Sequence, residues 1–221
     1  MKIALTTYDT AHLKTAQVFF GLHNRGAHEI SFLDVPYSPR PAREVVFAHR
    51  PHQFRGVSAR DIADGLKLPY RSYDERNAVL DEVDYIIVCG ANILEPDFAK
   101  SGKIINGHAG LVPHVRGLDS FKWAILDGVP VGNTLHIIDE EADMGEVLHQ
   151  LVTPLFRSDT LETFADRHYN NEIFLLTHFD HYIENGETLG LSERKARMRM
   201  PMAKEHEFVA AFESYKQKFA L

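Results

Sequence analysis

Three polar side chains stand directly after apolar runs that are typical of buried strands. Asn106 and His108 follow the run 103–105, and Asp143 follows the run 135–138 across a short acidic loop. In an open, mostly parallel sheet, the carboxyl ends of the strands form the edge at which sites are built. We therefore expect the amide, the imidazole and the carboxylate to converge at that edge.

This set of side chains matches the charges that develop when an amine attacks a carbonyl carbon. An amide such as Asn106 polarises the carbonyl, an imidazole such as His108 stabilises the developing oxyanion, and Asp143 holds or relays a proton. The set contains no obvious nucleophile, so direct attack by a substrate amine is favoured over a covalent intermediate. Each residue alone also fits a structural role, since residues 143–145 read as a simple turn.

The elements that must position these residues are short β-branched runs that alternate with stretches long enough for helices. This alternation is typical of parallel strands joined by crossover helices. It predicts an α/β, Rossmann-like fold, with a mostly parallel twisted sheet and flanking helices. The predicted strands cover about residues 2–6, 29–34, 84–89, 103–107, 131–138 and 146–153.

Two helices are indicated by the spacing of their apolar residues. One runs over residues 11–24 and ends at Gly26, and a long one runs over residues 158–186 with Asp159 as its predicted cap. The long helix closes a predicted catalytic domain that covers residues 1–190.

The tail, residues 191–221, is predicted to be a short helical extension. Its amphipathic helix contains Phe208, Phe212 and Phe219, and such an apolar face has to be covered. Two alternatives stay open at this point. The face packs on the chain's own domain, or it packs on a second subunit and the protein is a homodimer through its C-terminal region.

Composition argues against several classes of protein. The chain has 221 residues, of which 44% are hydrophobic and 25% charged, so it can bury a core without metals or disulfides. Its net charge of -7 argues against nucleic acid as the main partner. Because no run of about 18 apolar residues and no signal-like start are present, we expect a cytoplasmic protein without a membrane span. The single cysteine, Cys89, is expected to be a buried small hydrophobe.

A longer run of residues around the three polar side chains resembles a known family. The run comprises residues 105–113 (Ile-Asn-Gly-His-Ala-Gly-Leu-Val-Pro), 116–117 (Arg-Gly), 132–136 (Gly-Asn-Thr-Leu-His) and 143–145 (Asp-Met-Gly). This order resembles the folate-dependent formyltransferases, which share an Asn-x-His near a Leu-x-Pro and an Asp-x-Gly further along. The resemblance extends over about residues 85–150.

The resemblance implies an N-formyltransferase that uses 10-formyltetrahydrofolate as its formyl donor, with Asn106, His108 and Asp143 as the catalytic residues. Ala109 and Glu146 depart from the prolines that many members carry, and neither is a predicted catalytic side chain. The resemblance also implies that two segments hold the donor's pterin ring, namely Asn92, Ile93 and Leu94 together with Ile138, Asp139, Glu140, Glu141 and Ala142.

The turn after the first strand bears on which amine is formylated. Glycinamide ribonucleotide formyltransferases carry a phosphate loop rich in glycine and serine there, whereas residues 6–11 of this chain contain no glycine. A methionyl-tRNA formyltransferase would bring a basic second domain, and a formyltetrahydrofolate hydrolase an extra N-terminal domain. We therefore expect the branch that formylates nucleotide-linked amino sugars for surface polysaccharides, with glycinamide ribonucleotide formyltransferase as the alternative.

A basic segment, residues 43–55, is the first candidate for binding such an acceptor. It interleaves arginines and histidines with Phe47 and Phe54 inside a stretch, residues 36–60, that prolines interrupt. This composition suits a diphosphate and a stacked base, and equally a solvated loop. The predicted acceptor-binding residues are Arg50, Arg55, Arg116 and Trp123, with core packing as the alternative for Trp123.

A non-catalytic protein that binds folate or a metal is the alternative from another class. His178 and His181 lie three residues apart on a predicted helix. Since the spacing supplies no third ligand, no metal site is predicted.

Overall fold

Seven strands form one sheet in a computed structural model that describes residues 1–38, 43–92, 94–138, 145–183 and 195–221. The strands are β1 (Lys2–Thr7), β2 (Glu29–Asp34), β3 (Tyr70–Ser72), β4 (Tyr85–Val88), β5 (Ile104–His108), β6 (Gly132–Ile137) and β7 (Val147–Val152). Their order across the sheet is β3-β2-β1-β4-β5-β6-β7. The first five strands are parallel, while β6 and β7 run antiparallel to their neighbours. The predicted mostly parallel α/β fold is confirmed.

Helices pack on both faces of this sheet. They are α1 (Leu13–Arg25), α2 (Ala59–Leu66), α3 (Arg76–Glu82), α4 (Pro96–Ala99), α5 (Ser120–Asp127), α6 (Leu161–Thr177), α7 (Phe179–Ile183) and α8 (Met202–Phe219). A 3-10 turn, Tyr73–Glu75, links β3 to α3. Among the described residues, no helix is both long and apolar enough to cross a bilayer.

The central strand β1 contains an apolar run, residues 3–5, whose side chains are buried on both faces of the sheet. Ile3 and Leu5 point to the face covered by α1 and α6, and Ala4 points to the face covered by α3 and α4. Successive side chains of a strand alternate between the two faces, and here both faces are buried. Truncating a fully buried leucine such as Leu5 to alanine typically costs about 2 to 5 kcal/mol.

The chain changes direction across the sheet at β1. It leaves β1 for β2 and β3 on one side and returns to β4 on the other, which opens a crevice at the carboxyl ends of β1 and β4. Tyr8 follows β1, and its hydroxyl donates to the carbonyl oxygen of Ala91 beyond β4 at 2.8 Å. Gly90 permits this contact, since a Cβ there would lie 2.7 Å from the Tyr8 ring. The next strand, β5, brings the predicted catalytic residues beside this crevice.

The prediction of one long helix over residues 158–186 is wrong in the described part of the chain, because α6 ends at Thr177 and α7 starts at Phe179. The Thr177 hydroxyl lies 2.9 Å from the carbonyl oxygen of Ile173, and such side-chain bonds compete with the helical ones. The cap is Thr160, whose Oγ1 accepts from its own helix, whereas the predicted cap Asp159 pairs with Arg167.

The apolar face of the C-terminal helix α8 is covered within the chain. Phe208, Phe212 and Tyr215 are buried against Phe121 and Phe164 in one cluster. The Tyr215 hydroxyl donates to the carbonyl oxygen of Val129 at 2.9 Å and accepts from the backbone N–H of Val131 at 3.1 Å. Of the two alternatives for this face, the structure therefore shows packing on the chain's own domain. The homodimer stays a prediction.

Candidate active site

The structure brings Asn106 and His108 together at the carboxyl end of β5. They are two residues apart on one strand, so both side chains point to the same face of the sheet. Both line a cleft of about 650 Å³ beside the crevice between β1 and β4. An amide and an imidazole are thus held side by side on a backbone that hydrogen bonds on both edges.

His108 is buried, and its surroundings fix the position of one proton. Its Nε2 lies 3.1 Å from the carbonyl oxygen of Val115 and 3.3 Å from Oγ of Ser120. The Ser120 hydroxyl donates to the carbonyl oxygen of Gly117 at 2.8 Å. A carbonyl oxygen only accepts, so Nε2 of His108 carries the hydrogen and donates to Val115.

Gly110 keeps the space that this histidine needs. A Cβ on Gly110 would lie 2.8 Å from His108 Nε2 and 2.8 Å from the carbonyl oxygen of Val115. Carbon atoms do not approach other heavy atoms so closely, so any larger residue would push the imidazole or the loop aside. The glycine in the run 105–113 therefore has a structural reason that is tied to His108.

Asn106 is oriented by a histidine for which the sequence predicted no role. The Asn106 amide nitrogen donates to Nε2 of His136 at 3.1 Å, and the two residues are directly paired between β5 and β6. His136 is buried at 2% exposure, so this contact is shielded from solvent. His136 ends the run 132–136, and its place opposite Asn106 in an antiparallel pair is the signal that identifies it.

Part of the predicted site lies outside the described residues. This applies to the third predicted catalytic residue, Asp143, and to Ile93, Asp139, Glu140, Glu141 and Ala142. Of the predicted pterin-binding residues that are described, Asn92 lines the cleft and donates to the carbonyl oxygen of Pro36 at 2.8 Å. Leu94 and Ile138 pack against the apolar cluster on the α3 and α4 face of the sheet.

The other end of the cleft is built around the buried carboxylate of Glu172. This carboxylate accepts from Nζ of Lys14 at 2.7 Å and also from the guanidinium of Arg50. Burial disfavours the charged form, but Arg50 and Lys14 outweigh it and hold the pKa of Glu172 at about 2. Two cations share one anion, so this cluster carries a surplus positive charge into the cleft.

A side chamber of about 270 Å³ adjoins this cluster and shares Lys14 and Arg50 with the cleft. Burial, aided by the nearby Lys14 and Arg50, lowers the pKa of His12 to about 4, so His12 is neutral at pH 7. Burial also lowers the pKa of His49 well below its usual value. Cys89 lines the chamber, and burial raises the pKa of its thiol to about 12. The expectation that Cys89 is a buried small residue is confirmed.

Three aromatic rings stand at the rim of the cleft. Tyr37 meets Tyr8 and Phe54 edge to face, with 5.2 Å between ring centres in each pair. Tyr37 and Phe54 are 44% and 45% exposed, although burial is the usual state of such rings. Exposed rings beside a cleft suit the flat face of a planar ligand.

Of the predicted acceptor-binding residues, only Arg50 is among the described residues that line the cleft. Arg55 is exposed, and Arg116 is buried with its carbonyl oxygen accepting from the backbone N–H of Arg197. Trp123 donates to the carbonyl oxygen of Met198 at 3.1 Å and packs its ring under Arg197. Their roles in acceptor binding stay predictions.

Sequence reasoning missed Lys14 and Glu172, although a signal was present. Lys14 has helical spacing with Val18 and Leu22 on the buried face of α1, and Glu172 has it with His168 on the buried face of α6. A charged residue at a core position needs a charged partner, because an unpaired buried charge is very costly. That pattern alone predicts a buried ion pair.

The described residues include no group of three or more His, Cys, Asp or Glu side chains placed to hold a metal ion. His178 stacks on Phe174 and bonds to its carbonyl oxygen at 2.9 Å, while His181 meets Tyr182 edge to face.

Part of the chain is similar to a family of known proteins. Residues 73–178 match the model of the family described as formyl transferase. Over 89 residues the chain is 37% identical to the phosphoribosylglycinamide formyltransferase of Haemophilus influenzae. The matched segment covers 38% of this chain and 42% of that protein. The chain spans less than half the length of the curated relatives with which it was compared.

Two solved structures share the fold over most of the chain. A sugar N-formyltransferase from a Shewanella species superposes with a TM-score of 0.63 at 20% identity, covering 96% of this chain and 87% of that chain. The formyltransferase PseJ from Anoxybacillus kamchatkensis, in complex with UDP-4,6-dideoxy-4-formamido-L-AltNAc and tetrahydrofolate, gives a TM-score of 0.54 at 19% identity and covers 89% and 84%. At these identities the likeness shows the fold alone. The family match over residues 73–178 and the resemblance predicted over residues 85–150 point to the same family.

Proposed function

We propose that the protein is a cytoplasmic N-formyltransferase that moves a formyl group from 10-formyltetrahydrofolate to the primary amine of a nucleotide-linked amino sugar, for surface polysaccharide synthesis. The observation that carries this proposal is the cleft itself. One end holds Asn106 and His108, and the other holds the positive surplus of Lys14, Arg50 and Glu172.

The charge of the cleft favours an anionic acceptor. Among the residues that the structure describes, its lining carries five cationic side chains against two carboxylates, in a protein whose net charge is -7. A cleft of the opposite sign to the whole molecule concentrates anionic ligands. These cations are Lys14, Arg43, Arg50, Lys122 and Arg199, and the carboxylates are Asp119 and Glu172.

The chemistry follows from the charges that form during transfer. The amine's lone pair attacks the formyl carbon, and the carbonyl oxygen becomes anionic. The Asn106 amide has two hydrogens and gives one to His136, so the second can stabilise that oxygen, and the His108 imidazole on the same strand adds to this stabilisation. The bond from the formyl carbon to the folate nitrogen then breaks. The amine loses a proton, which Asp143 holds or relays, and the released tetrahydrofolate nitrogen gains one.

Two observations favour a nucleotide-linked sugar as the acceptor. The exposed rings of Tyr37 and Phe54 lie at the rim of the same cleft and suit a nucleobase. The turn after β1, residues 6–11, contains no glycine. It therefore lacks the residues with which a glycine-rich loop wraps its backbone around a phosphate.

Phosphoribosylglycinamide is the second candidate acceptor, because the chain is 37% identical to the Haemophilus influenzae enzyme over the matched segment. Both candidates are phosphorylated amines, so the cationic end of the cleft suits either one.

The test is to offer both kinds of acceptor to the purified protein together with 10-formyltetrahydrofolate. We expect tetrahydrofolate release, followed by absorbance, and the added formyl group, seen by mass spectrometry, with an amino-sugar nucleotide. His108→Ala serves as the inactive control. Formylation of glycinamide ribonucleotide alone would support the second candidate, and formylation of no amine would refute both.

A further inference from the structure

One wall of the cleft is a segment without helix or strand, residues 43–50, which we call the strap. Its first residue, Arg43, bonds to Glu205 on α8, and its last residue, Arg50, pairs with Glu172. Its residues that line the cleft are Arg43, Val45, Phe47, Ala48, His49 and Arg50. A wall without regular structure needs side-chain bonds to keep its shape, because it has no ladder or helical bonds of its own.

Glu205, on the C-terminal helix α8, supplies those bonds at one end of the strap. Its side chain is fully buried. Its Oε1 accepts from Nζ of Lys122 at 2.7 Å and from Nη2 of Arg43 at 3.1 Å. Its Oε2 accepts from the backbone N–H of Val46 at 2.7 Å. One carboxylate thus holds both a side chain and the backbone of the strap.

Neighbouring contacts reinforce the same attachment. Arg43 also donates to the carbonyl oxygen of Met200 at 2.6 Å and to Oδ2 of Asp119 at 3.1 Å. The Phe47 ring lies 5.8 Å from the ring of Phe208 on α8. Burial opposes the charge on Glu205, yet the bonds from Lys122 and Val46 keep its pKa below the usual value. The carboxylate is therefore charged at neutral pH.

We propose that Glu205 is a positioning residue for acceptor binding. It touches no substrate, but it holds the strap as a wall of the cleft, so the C-terminal helix takes part in recognising the acceptor. The link to the acceptor rests on the proposed function, whereas the attachment of the strap does not.

Three variants test this inference. Glu205→Gln removes the charge that binds the strap. Arg43→Gln removes the side-chain part of the attachment but leaves Lys122 and the backbone of Val46 bonded to Glu205, so it keeps the fold if Glu205→Gln does not. Tyr215→Phe is the matched control, because it removes two hydrogen bonds of the same helix that lie away from the strap.

Two measurements are made on each variant. Amide hydrogen exchange, without any substrate, reports how firmly residues 43–50 are held. Steady-state kinetics give the KM values of acceptor and donor separately. We expect Glu205→Gln and Arg43→Gln to speed exchange in the strap, and Glu205→Gln to raise the acceptor KM about tenfold, with its donor KM and kcat nearly unchanged. The two changes combined should speed exchange in the strap no more than the larger one alone, because both act on the same attachment.

Unchanged exchange in the strap of Arg43→Gln would overturn the inference. So would an equal rise in both KM values, or an effect of Tyr215→Phe as large as that of Glu205→Gln, since either result would indicate a general weakening of the fold. If no acceptor is formylated by the unaltered protein, the proposed function fails. Hydrogen exchange still decides whether Glu205 holds the strap.

Discussion

The two ends of the cleft are built by different means. At the catalytic end, Asn106 and His108 project from β5, whose backbone is bonded to a strand on each side. At the acceptor end, the strap has no such ladder and is held by buried carboxylates. We propose that this difference reflects a division of work, in which the sheet fixes the groups proposed to act on the transition state and ion pairs shape the surface proposed to bind the acceptor.

The two clusters of ion pairs at the strap differ in their balance of charge. Glu205 and Asp119 together balance Lys122 and Arg43. Glu172 alone faces Lys14 and Arg50. Buried ion pairs add little net stability, because taking the charges out of water is costly. We infer that the balanced cluster serves attachment, while the unbalanced one leaves a charge for an anionic ligand.

The largest effect is expected from changes at the catalytic end. Asn106→Ala or His108→Ala should lower kcat about a hundredfold or more, with little change in acceptor KM, because both groups act on the transition state. Steady-state kinetics measure this, and circular dichroism checks that the fold is kept. Turnover near that of the unaltered protein would remove either residue from the mechanism.

A change that only displaces His108 should have the next largest effect. Gly110→Ala places a Cβ 2.8 Å from Nε2 of His108, so the imidazole must move and kcat should fall about tenfold or more. Gly65→Ala is the control, since a Cβ there meets no atom within 4 Å. Equal activity of the two alanine variants would show that the position of His108 is not critical.

At the acceptor end, Arg50→Gln should raise the acceptor KM about tenfold, as expected for one lost charge-assisted contact. Glu172 keeps Lys14 as its partner, so the fold should survive. Arg167→Gln is a matched control: the Arg167 side chain is 29% exposed and paired with a buried carboxylate, as Arg50 is at 25%, but Arg167 does not line the cleft. A similar KM in both variants would argue against an anion site at Arg50.

The smallest effect concerns pH and the buried histidine beneath the acceptor end. Burial, together with the nearby Arg50, lowers the pKa of His168 to about 3. Below pH of about 6.5 the unfolded chain binds a proton at this residue and the folded chain does not, so stability falls as the pH drops toward 3.

Urea unfolding at pH 7 and pH 5 measures this contribution. The unaltered protein should lose about 2 kcal/mol more than His168→Gln over that interval, because each pH unit shifts the balance by about 1.4 kcal/mol. Equal losses in the two proteins would mean that His168 is protonated in the folded state.

Much of the sheet could be predicted from the sequence, because strands buried on both faces are apolar throughout. The strand β3 was missed since it has three residues, none of them buried. The break of the long helix at His178 was missed because it depends on side-chain bonds of Thr177.

The candidate site could likewise be predicted only in part. Asn106 and His108 are visible in the sequence, because they directly follow a strand. The partners of the strap are not, since Arg50 and Glu172 lie 122 positions apart, and Arg43 and Glu205 lie 162 apart. Only the folded chain brings such residues together. For that reason the sequence suggested a solvated loop and a substrate site equally for residues 43–55.

The most direct test of this division of work is the single-turnover rate of formyl transfer at saturating acceptor. Excess acceptor should compensate for weakened binding, so Arg50→Gln should reach the rate of the unaltered protein. His108→Ala should stay about a hundredfold slower at any concentration, because its defect lies in the transition state. A rate for Arg50→Gln that stays low at saturation, or one for His108→Ala that recovers, would contradict the account.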